Sequence, residues 1–196
     1  MQNKYDEEYF VKPNKKQYLN FELIKKFNDY ISTCRKGKLI DNKKYQLLKN
    51  PKISVIMPIY NGGKYLYYSL RSIQNQVMKE IEIIIVDDCS TDDSLSIIQS
   101  YMKEDNRIRL IKNHINRKIL YSKSIAALNS KGKFIIELDQ DDIFIRGDIF
   151  DMLFYEAENN SLDLVQVRDF KKVNFLFNKI TYVNEPSKHL IFPQKT

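Results

Sequence analysis

The feature that most constrains the fold is an alternation of short apolar runs with amphipathic segments between residues 53 and 167. The run "IEIIIVDD" (81–88) is apolar almost throughout, which is typical of a strand buried on both faces. "ISVIMPIY" (53–60) is a second, β-branched run. Strands that alternate with helices across short connections predict an α/β protein with a mostly parallel sheet and helices on both faces.

Periodicity places the other elements along the chain. The predicted helices cover 64–77, 94–102, 119–130 and 148–160, and the remaining predicted strands cover 107–111, 133–138 and 162–167. After residue 170 the pattern changes to that of a hairpin, with Asn178 and Lys179 at its turn. No internal repeat interrupts this order.

Two of these helices carry more detailed predictions. In the first, Leu66, Leu70, Ile73 and Val77 fall on one face. In the second, either Ser90 or Thr91 is expected to be the N-cap. The carboxylates at 92 and 93 are expected near the positive end of that helix.

The basic charge of the chain is concentrated in residues 1–50. They hold 12 Lys and Arg against 6 Asp and Glu, whereas residues 51–196 hold 20 against 19. A helix is predicted over 20–34, and we divide the chain into a partly helical N-terminal extension (1–50) and one domain (51–196). The extension is interpreted either as a solvated helix or as a segment in peripheral contact with an anionic membrane. No zinc finger or aromatic-interleaved motif indicates nucleic acid as a partner.

Composition excludes several classes of protein. No apolar run approaches 18 residues and no signal-peptide pattern opens the chain, so a cytoplasmic location is expected. Two distant cysteines, Cys34 and Cys89, argue against a disulfide framework. His114 and His189 lie far from each other and from both cysteines, which argues against a Cys/His zinc site.

Candidate functional residues follow three of the predicted strands. The first strand ends in "PIYNGG" (58–63), the second in "DDCS" (87–90) and the fourth in "DQDD" (139–142). Ligands of such sheets bind beyond the carboxyl ends of the strands, so these segments are expected to line one rim.

The D-x-D pair at the end of the fourth strand indicates a divalent cation. In extended chain Asp139 and Asp141 would lie on one side, about 6–7 Å apart. At an effective dielectric constant of about 20 their repulsion is roughly 2.5–3 kcal/mol, which Mg²⁺ or Mn²⁺ would relieve while leaving positions for phosphate oxygens. The alternative is a solvated acidic turn in which Asp142 or Asp148 caps the next helix.

The other candidates also have two interpretations. Asp87 and Asp88 either cap a helix, together with Ser90 and Thr91, or accept a hydrogen bond from a nucleotide. The glycines of "YNGGK" (60–64) fit a tight strand-to-helix turn better than a phosphate loop, because the full phosphate-loop spacing is absent. The basic residues Arg117, Lys118 and Lys123 either meet a diphosphate or form a solvated face.

The order of these motifs resembles the nucleotide-binding half of the family 2 glycosyltransferases, which have the GT-A fold, a Rossmann-like architecture. The segments that carry the resemblance are "ISVIMPIYNGGKYLYYSLRSIQNQ", "IEIIIVDDCSTDDSLSII" and "KGKFIIELDQDDIF". It covers about residues 51–170, and the combination is more specific than any one motif.

The resemblance implies inverting transfer of a sugar from a nucleotide-diphospho-sugar, most often a UDP-sugar, to an acceptor that the sequence does not identify. Mn²⁺ or Mg²⁺ would be the cofactor, acting on the leaving diphosphate. It implies these roles: Pro58, Tyr60 and Asn61 beside the nucleotide, Asp88 at the base edge, Lys123 near the phosphates, Asp139 at the ribose or metal shell, and Asp141 on the metal.

The sequence departs from the family pattern at two places. Arg117 and Lys118 stand where a glycine pair is frequent, and Ser124 stands where Asn is frequent. In the family the general base lies well downstream of the D-x-D strand, on the acceptor-binding half. The sequence ends at Thr196, so we expect the acceptor half to be incomplete. Asp169 and Glu185 are the remaining acidic candidates, and the catalytic base is left unassigned.

Two functions of other classes stay open at this stage. The first is a non-catalytic module that binds a nucleotide-sugar or a partner protein. The second is a phospho-receiver domain, in which acidic strand ends and Mg²⁺ also occur. The receiver requires an early acidic pair, whereas the first strand here ends in "PIY" (58–60).

Overall fold

The computed structural model describes residues 29, 38–40, 50–162, 165, 169–176 and 179–186. Five strands form one sheet: β1 (Lys38–Ile40), β2 (Ile53–Ile59), β3 (Ile81–Asp87), β4 (Ile108–Lys112) and β5 (Phe134–Glu137). Four helices pack on it: α1 (Gly63–Gln74), α2 (Ser94–Glu104), α3 (Lys118–Leu128) and α4 (Ile149–Asn159). The strand order is β1-β4-β3-β2-β5, with β2 to β5 parallel and β1 antiparallel to β4. The predicted fold class is confirmed.

The edge strand β1 comes from the segment predicted to be an extension. Lys38 pairs with Lys112 and Ile40 with Leu110, so residues 38–40 continue the sheet beyond β4. Within the helix predicted over 20–34 only Asp29 is described, and it is helical. The rest of that prediction lies outside the described residues.

The two faces of the sheet are covered by different helices because successive side chains of a strand point to opposite faces. Ile83 and Ile85 of β3 pack in a cluster with residues of α1, α2 and α4. Ile84 and Val86 pack in a second cluster with residues of α3. Every residue of β2 and β3 is buried. Full burial of one such aliphatic side chain contributes about 1.5–3 kcal/mol.

The helices begin and end close to their predicted bounds, with one error. Val77 lies beyond the end of α1 and is 64% exposed, so its predicted place on the buried helical face is wrong. The chain turns because the buried side chain of Gln76 donates to the carbonyl of Arg146 (2.6 Å) and accepts from the amide of Phe150. None of the helices in the described part of the chain has the length and hydrophobicity needed to cross a membrane.

A proline in a central strand is tolerated because of where β5 stops. The carbonyl of Ile56 accepts from the amide of Leu138 (3.1 Å), so even-numbered residues of β2 direct their peptide groups toward β5. β5 pairs with β2 only as far as Ile56, and Pro58 therefore lies beyond the last paired residue on that side. Its missing N–H leaves no ladder bond unmade, and the two chains separate at this point.

The predicted hairpin after residue 170 is present and longer than expected. It consists of β6 (Asp169–Leu176) and β7 (Lys179–Pro186), which are antiparallel. Lys179 pairs with Leu176, so it belongs to the strand rather than to the turn. Of the strand predicted over 162–167, Leu162 and Val165 are described and neither is in a strand. The rest of that prediction lies outside the described residues.

A buried charged network lies at the end of the sheet where the parallel strands β2, β3 and β4 begin. Arg109 of β4 donates to Glu82 of β3 (3.0 Å), and their side chains are 4% and 0% exposed. Glu82 also accepts from the hydroxyl of Ser54 in β2 (2.6 Å). Arg109 donates in addition to the carbonyl of Asn129 after α3 (2.8 Å). The network therefore joins three strands to the end of a helix.

We expect Arg109→Met to destabilise the fold strongly, because it removes the buried guanidinium that donates to the buried Glu82 carboxylate. The free energy of unfolding should fall by about 3–5 kcal/mol in denaturant titrations. The matched control is Arg146→Met, which breaks an exposed pair with Asp148 and should change stability far less. Equal losses in the two variants would contradict this assignment.

Candidate functional site

The strand order identifies where a ligand would bind. β3 and β4 lie on one side of β2 and β5 on the other, so the order reverses at β2. In open parallel sheets this switch point, at the carboxyl ends of the strands, is the usual ligand crevice. The loops after β2 and β5 flank it, and the loop after β3 lies beside them. The three segments predicted to share a rim are thus brought together.

The loop after β2 is held by the loop after β3. The amide of Asn61 donates to the hydroxyl of Ser90 (3.1 Å), and the amide of Thr91 donates to Oδ1 of Asn61 (2.8 Å). The amide of Gly62 donates to the hydroxyl of Ser94 (2.9 Å). Asn61 has a positive φ of 52°, which Asn tolerates better than most residues. The side-chain oxygen of Asn61 therefore stabilises the two loops by accepting from Thr91. The predicted contact of Asn61 with a nucleotide stays a prediction.

Asp92 is bonded to the first residues of two helices. Its Oδ2 accepts from the amide of Gly63 at α1, and its Oδ1 accepts from the amide of Ser94 at α2, both at 3.0 Å. Desolvation raises its pKa, but the hydrogen bonds from Ser94 and Gly63 outweigh that effect, and the pKa lies below its ordinary value. The N-cap of α2 is Asp93, so the prediction of Ser90 or Thr91 was wrong. Both of those residues bond to Asn61 instead.

The two glycines of this loop lie close to side chains of the neighbouring loops. A Cβ at Gly63 would lie 1.9 Å from Oδ1 of Asp93, and one at Gly62 would lie 2.5 Å from Oε1 of Gln140. Neither glycine has a positive φ. The left-handed residue of the tight turn expected from "YNGGK" is therefore Asn61 and not a glycine.

Gln140 connects the D-x-D loop to the loop after β2. Its Oε1 accepts from the amide of Tyr60 (2.9 Å), and its Nε2 donates to the carbonyl of Tyr60 (3.3 Å). Its own carbonyl accepts from the hydroxyl of Ser69 in α1 (2.6 Å). Sequence analysis assigned it no role, because its partners lie 80 and 71 positions away. This side chain spans the gap that Pro58 opens.

Asp88 holds the start of α3. Its carboxylate is 3% exposed and accepts from the amides of Arg117 and Lys118 (both 2.8 Å) and from Nδ2 of Asn113 (2.7 Å). A carboxylate at a helix N-terminus is favoured by the helix dipole as well as by these bonds. The observed role of Asp88 is thus to anchor α3, and its contact with a nucleobase stays a prediction.

Asp87 is buried beside Asp88 but faces the other side of the sheet. Its Oδ1 accepts from the amide of Ser90 (3.1 Å). Its Oδ2 is enclosed and has no hydrogen-bond partner among the described residues. Asp88 therefore does bind the amides at the start of a helix, as the cap interpretation expected. That helix is α3, whereas the interpretation placed the cap on α2.

Lys123 lies between two carboxylates at the other end of the rim. Its ammonium is in direct contact with Glu137 at the end of β5, and it lies 3.0 Å from Oδ1 of Asp139. All three side chains are partly exposed, at 25%, 40% and 43%. The predicted phosphate-binding lysine is therefore beside the D-x-D loop and open to solvent.

The D-x-D loop is a turn rather than the extended chain on which the repulsion estimate was based. The amide of Asp142 donates to the carbonyl of Asp139 (3.1 Å), and both Asp141 and Asp142 are exposed. The chain leaves the strand at Glu137 because β5 has no partner beyond Ile56. The repulsion energy estimated for Asp139 and Asp141 assumed that both lie on one side of an extended strand, so that estimate does not apply to this turn.

The same loop offers oxygen ligands for a divalent cation. Oδ1 of Asp139 is inaccessible to solvent and faces the ammonium of Lys123 at 3.0 Å, so a cation bound there would share this carboxylate with Lys123. No three His, Cys, Asp or Glu side chains among the described residues are grouped so as to hold a metal ion by themselves. Carboxylate oxygens suit Mg²⁺ or Mn²⁺, and phosphate oxygens commonly complete such sites. Asp139 and Asp141 therefore fit a cation that arrives with a diphosphate.

The two remaining predicted contacts lie at the end of β2. Pro58 is buried within the strand, and Tyr60 follows it with 47% of its surface exposed. Two hydrogen bonds with the side chain of Gln140 fix the backbone of Tyr60 at the end of β2. The predicted place of Pro58 and Tyr60 beside the nucleobase stays a prediction.

Comparison with known proteins establishes the family. The family model for glycosyl transferase family 2 matches residues 54–195, so the chain belongs to that family. Glycosyltransferase GlyG of Streptococcus pneumoniae is 36% identical over 113 residues, which are 58% of this chain and 37% of GlyG. A Campylobacter jejuni relative, GalNAc(5)-diNAcBac-PP-undecaprenol beta-1,3-glucosyltransferase, is 38% identical over 98 residues, covering 50% of this chain and 32% of the relative. The aligned part is thus well under half of either relative.

A solved structure supports the GT-A assignment. S. aureus TarS in complex with UDP matches with a TM-score of 0.53 and 30% identity, over 57% of this chain and 33% of the TarS chain. A second TarS structure, with UDP-GlcNAc, matches with a TM-score of 0.52. The phospho-receiver alternative is therefore wrong, and the resemblance to family 2 glycosyltransferases is confirmed.

Cys89 provides a stability test of the rim. It follows Asp88 with a φ of 65°, a left-handed conformation that costs non-glycine residues about 1–2 kcal/mol. We expect Cys89→Gly to raise the melting temperature by about 2–4 °C, which corresponds to about 1 kcal/mol. The control Cys89→Ala removes the thiol but keeps the Cβ, so it should give no such gain. A gain in both variants, or in neither, would contradict backbone strain at this position.

Proposed function

We propose that this chain forms the donor-binding part of a glycosyltransferase that moves a sugar from a nucleotide-diphospho-sugar, specifically a UDP-sugar, to an acceptor hydroxyl with inversion. The observation that carries the proposal is the juxtaposition of Lys123 with the D-x-D loop at the switch point of the sheet. Family membership and the similarity to TarS, whose structures hold UDP and UDP-GlcNAc, support it.

The proposed roles follow the geometry of the rim. The base lies against Tyr60 and Pro58, with Asn61 and Asp88 on the loops that hold it. The diphosphate lies toward Lys123, whose ammonium is the partly exposed cation beside the D-x-D loop. A point charge of this kind neutralises phosphate oxygens without fixing a bidentate geometry.

The cofactor of the proposal is Mn²⁺ or Mg²⁺, held by Asp139 and Asp141. When bound, the cation would act as a Lewis acid that stabilises charge on the leaving diphosphate. The residues of this chain bind and orient the donor, and Lys123 adds a second positive charge beside the leaving group. Inverting transfer needs no protein nucleophile, so the remaining requirement is a base on the acceptor.

The general base stays unassigned. Asp169 and Glu185 lie near the open end of the β6–β7 hairpin, where Asp169 pairs with Pro186 and Phe170 with Glu185. The non-catalytic module is the alternative function, and it receives no support of its own because the relatives named above are transferases. Steady transfer or hydrolysis of a UDP-sugar by this chain would eliminate the module.

The acceptor is proposed to be presented at a membrane surface. The name of the Campylobacter jejuni relative specifies a sugar acceptor linked to undecaprenol, a membrane lipid. Residues 1–50 contain 12 basic and 6 acidic residues, and this surplus of positive charge supports peripheral contact with anionic lipid.

The donor site is tested by calorimetry of UDP with and without Mn²⁺. We expect Mn²⁺ to strengthen UDP binding and Asp141→Asn to reduce that enhancement by about tenfold or more. Asp142→Asn is the control, since it removes the same charge one residue further along. Absence of metal-dependent UDP binding by the wild-type chain, or equal losses in both variants, would refute the proposed site.

Substitution of Glu137 is expected to strengthen UDP binding, whereas substitution of Asp141 is expected to weaken it. The Glu137 carboxylate contacts Lys123 and repels a diphosphate, so Glu137→Gln should remove one of the two carboxylates that compete for the ammonium and tighten UDP binding by about two- to fivefold. Glu80→Gln is the matched control, because it removes the same charge from an exposed pair with Lys52 at the other edge of the sheet. Weaker binding by Glu137→Gln would mean that Glu137 positions Lys123 for the donor instead of competing with it.

A further inference from the structure

One long stretch of the chain contains no acidic residue. Between residues 106 and 136 there is no Asp or Glu, while eight basic residues occur: Arg107, Arg109, Lys112, Arg117, Lys118, Lys123, Lys131 and Lys133. This charge bias covers β4, α3 and the connection between them. It is separate from the basic surplus of residues 1–50.

The structure places seven of these eight cations in a paired and an unpaired group. Four of them form ion pairs with carboxylates outside this stretch: Arg107, Arg109, Lys123 and Lys133. Within the described residues Lys112, Arg117 and Lys118 form no ion pair, and Arg117 instead lies over the ring of Tyr121 (5.6 Å). The uncompensated charge is thus collected at the end of β4 and the start of α3.

Aliphatic side chains are exposed among these same cations. Ile115, Ile119 and Leu120 are 54%, 56% and 58% exposed. Together with Arg117 and Lys118 they form what we call the 115–120 surface. Apolar side chains that are exposed close together and flanked by polar residues can mark a contact with a protein or a membrane.

The 115–120 surface is held in place by the candidate site. Asp88 accepts from the amides of Arg117 and Lys118, and Lys118 takes a φ of 72° at the bend where α3 begins. The surface is therefore preformed, and it lies on the same rim as the D-x-D loop. A partner bound there would be next to the opening of the donor site.

We propose that the 115–120 surface docks on an anionic lipid bilayer, with Ile115, Ile119 and Leu120 entering the interface between headgroups and acyl chains. Basic side chains beside exposed aliphatic ones, with no acids among them, combine the two contributions to interfacial membrane binding, which are burial of apolar area and attraction to anionic lipid. A single-stranded nucleic acid would call for aromatic stacking residues, and the core of a protein interface is enriched in aromatics and depleted in lysine. Docking in this orientation faces the donor site toward lipid-borne acceptors, and that part alone rests on the proposed function.

The test uses the full chain and sedimentation with vesicles. One set contains equal parts of phosphatidylglycerol and phosphatidylcholine, and the other contains phosphatidylcholine alone. The wild-type chain should bind the anionic vesicles, and high salt or the neutral vesicles should weaken the binding. The double variant Ile119→Asn with Leu120→Asn should lower the partition coefficient on anionic vesicles by about tenfold or more.

The matched control is Val77→Asn with Ile145→Asn. These residues are equally exposed, at 64% and 54%, but lie outside the basic stretch, so vesicle binding should stay at the wild-type level. Thermal unfolding of both double variants shows whether they remain folded. UDP calorimetry on the same samples separates the two proposals, because a failure of UDP binding would leave a positive vesicle result intact.

Three outcomes would overturn the inference. The first is no binding of the wild-type chain to anionic vesicles. The second is equal vesicle binding by the wild type and the Ile119/Leu120 variant, which would assign any membrane contact to residues elsewhere, such as 1–50. The third is a change in self-association of that variant, seen by light scattering, without a change in vesicle binding.

Discussion

The arrangement of the rim depends on the carboxylate of Asp88. This carboxylate is buried directly after the central strand β3. It accepts hydrogen bonds there from the backbone amides of Arg117 and Lys118 and from the side-chain amide of Asn113. Those two amides belong to the first turn of α3, so the bond sets where that helix starts. Because Lys123 is in the second turn of α3, the same bond determines that its ammonium reaches Glu137 and Asp139. The position of the 115–120 surface follows from it as well.

A second constraint is the separation of β2 and β5. Pro58 cannot donate to a neighbouring strand, β5 stops opposite Ile56, and the following residues turn instead of continuing the ladder. Gln140 then spans the opening with two hydrogen bonds to the backbone of Tyr60. The crevice at the switch point is thus produced by one residue that breaks pairing and one that bridges the gap.

What could be predicted from the sequence was local. The apolar runs of β2 and β3, the helical periodicity of α1 to α4 and the acids at strand ends were recognisable because each depends on neighbours within a few residues. Val77 was placed wrongly because burial of Gln76 against residues 70 positions away ends the helix early. The same limit explains why Gln140 was missed and why Ser90 and Thr91 were assigned to the wrong role. Glu82 was hidden within an apolar run, and only its pairing with Arg109 across the sheet accounts for it.

The central claim is that the rim built on Asp88 holds the diphosphate of a nucleotide between α3 and the D-x-D loop. The most direct measurement is a crystal structure of the chain soaked with UDP and Mn²⁺. The account predicts the diphosphate within hydrogen-bonding distance of Nζ of Lys123, the metal on Asp139 and Asp141, and the amides of Arg117 and Lys118 still donating to Asp88. Nucleotide bound away from the carboxyl ends of β2, β3 and β5, or metal on other carboxylates, would contradict it.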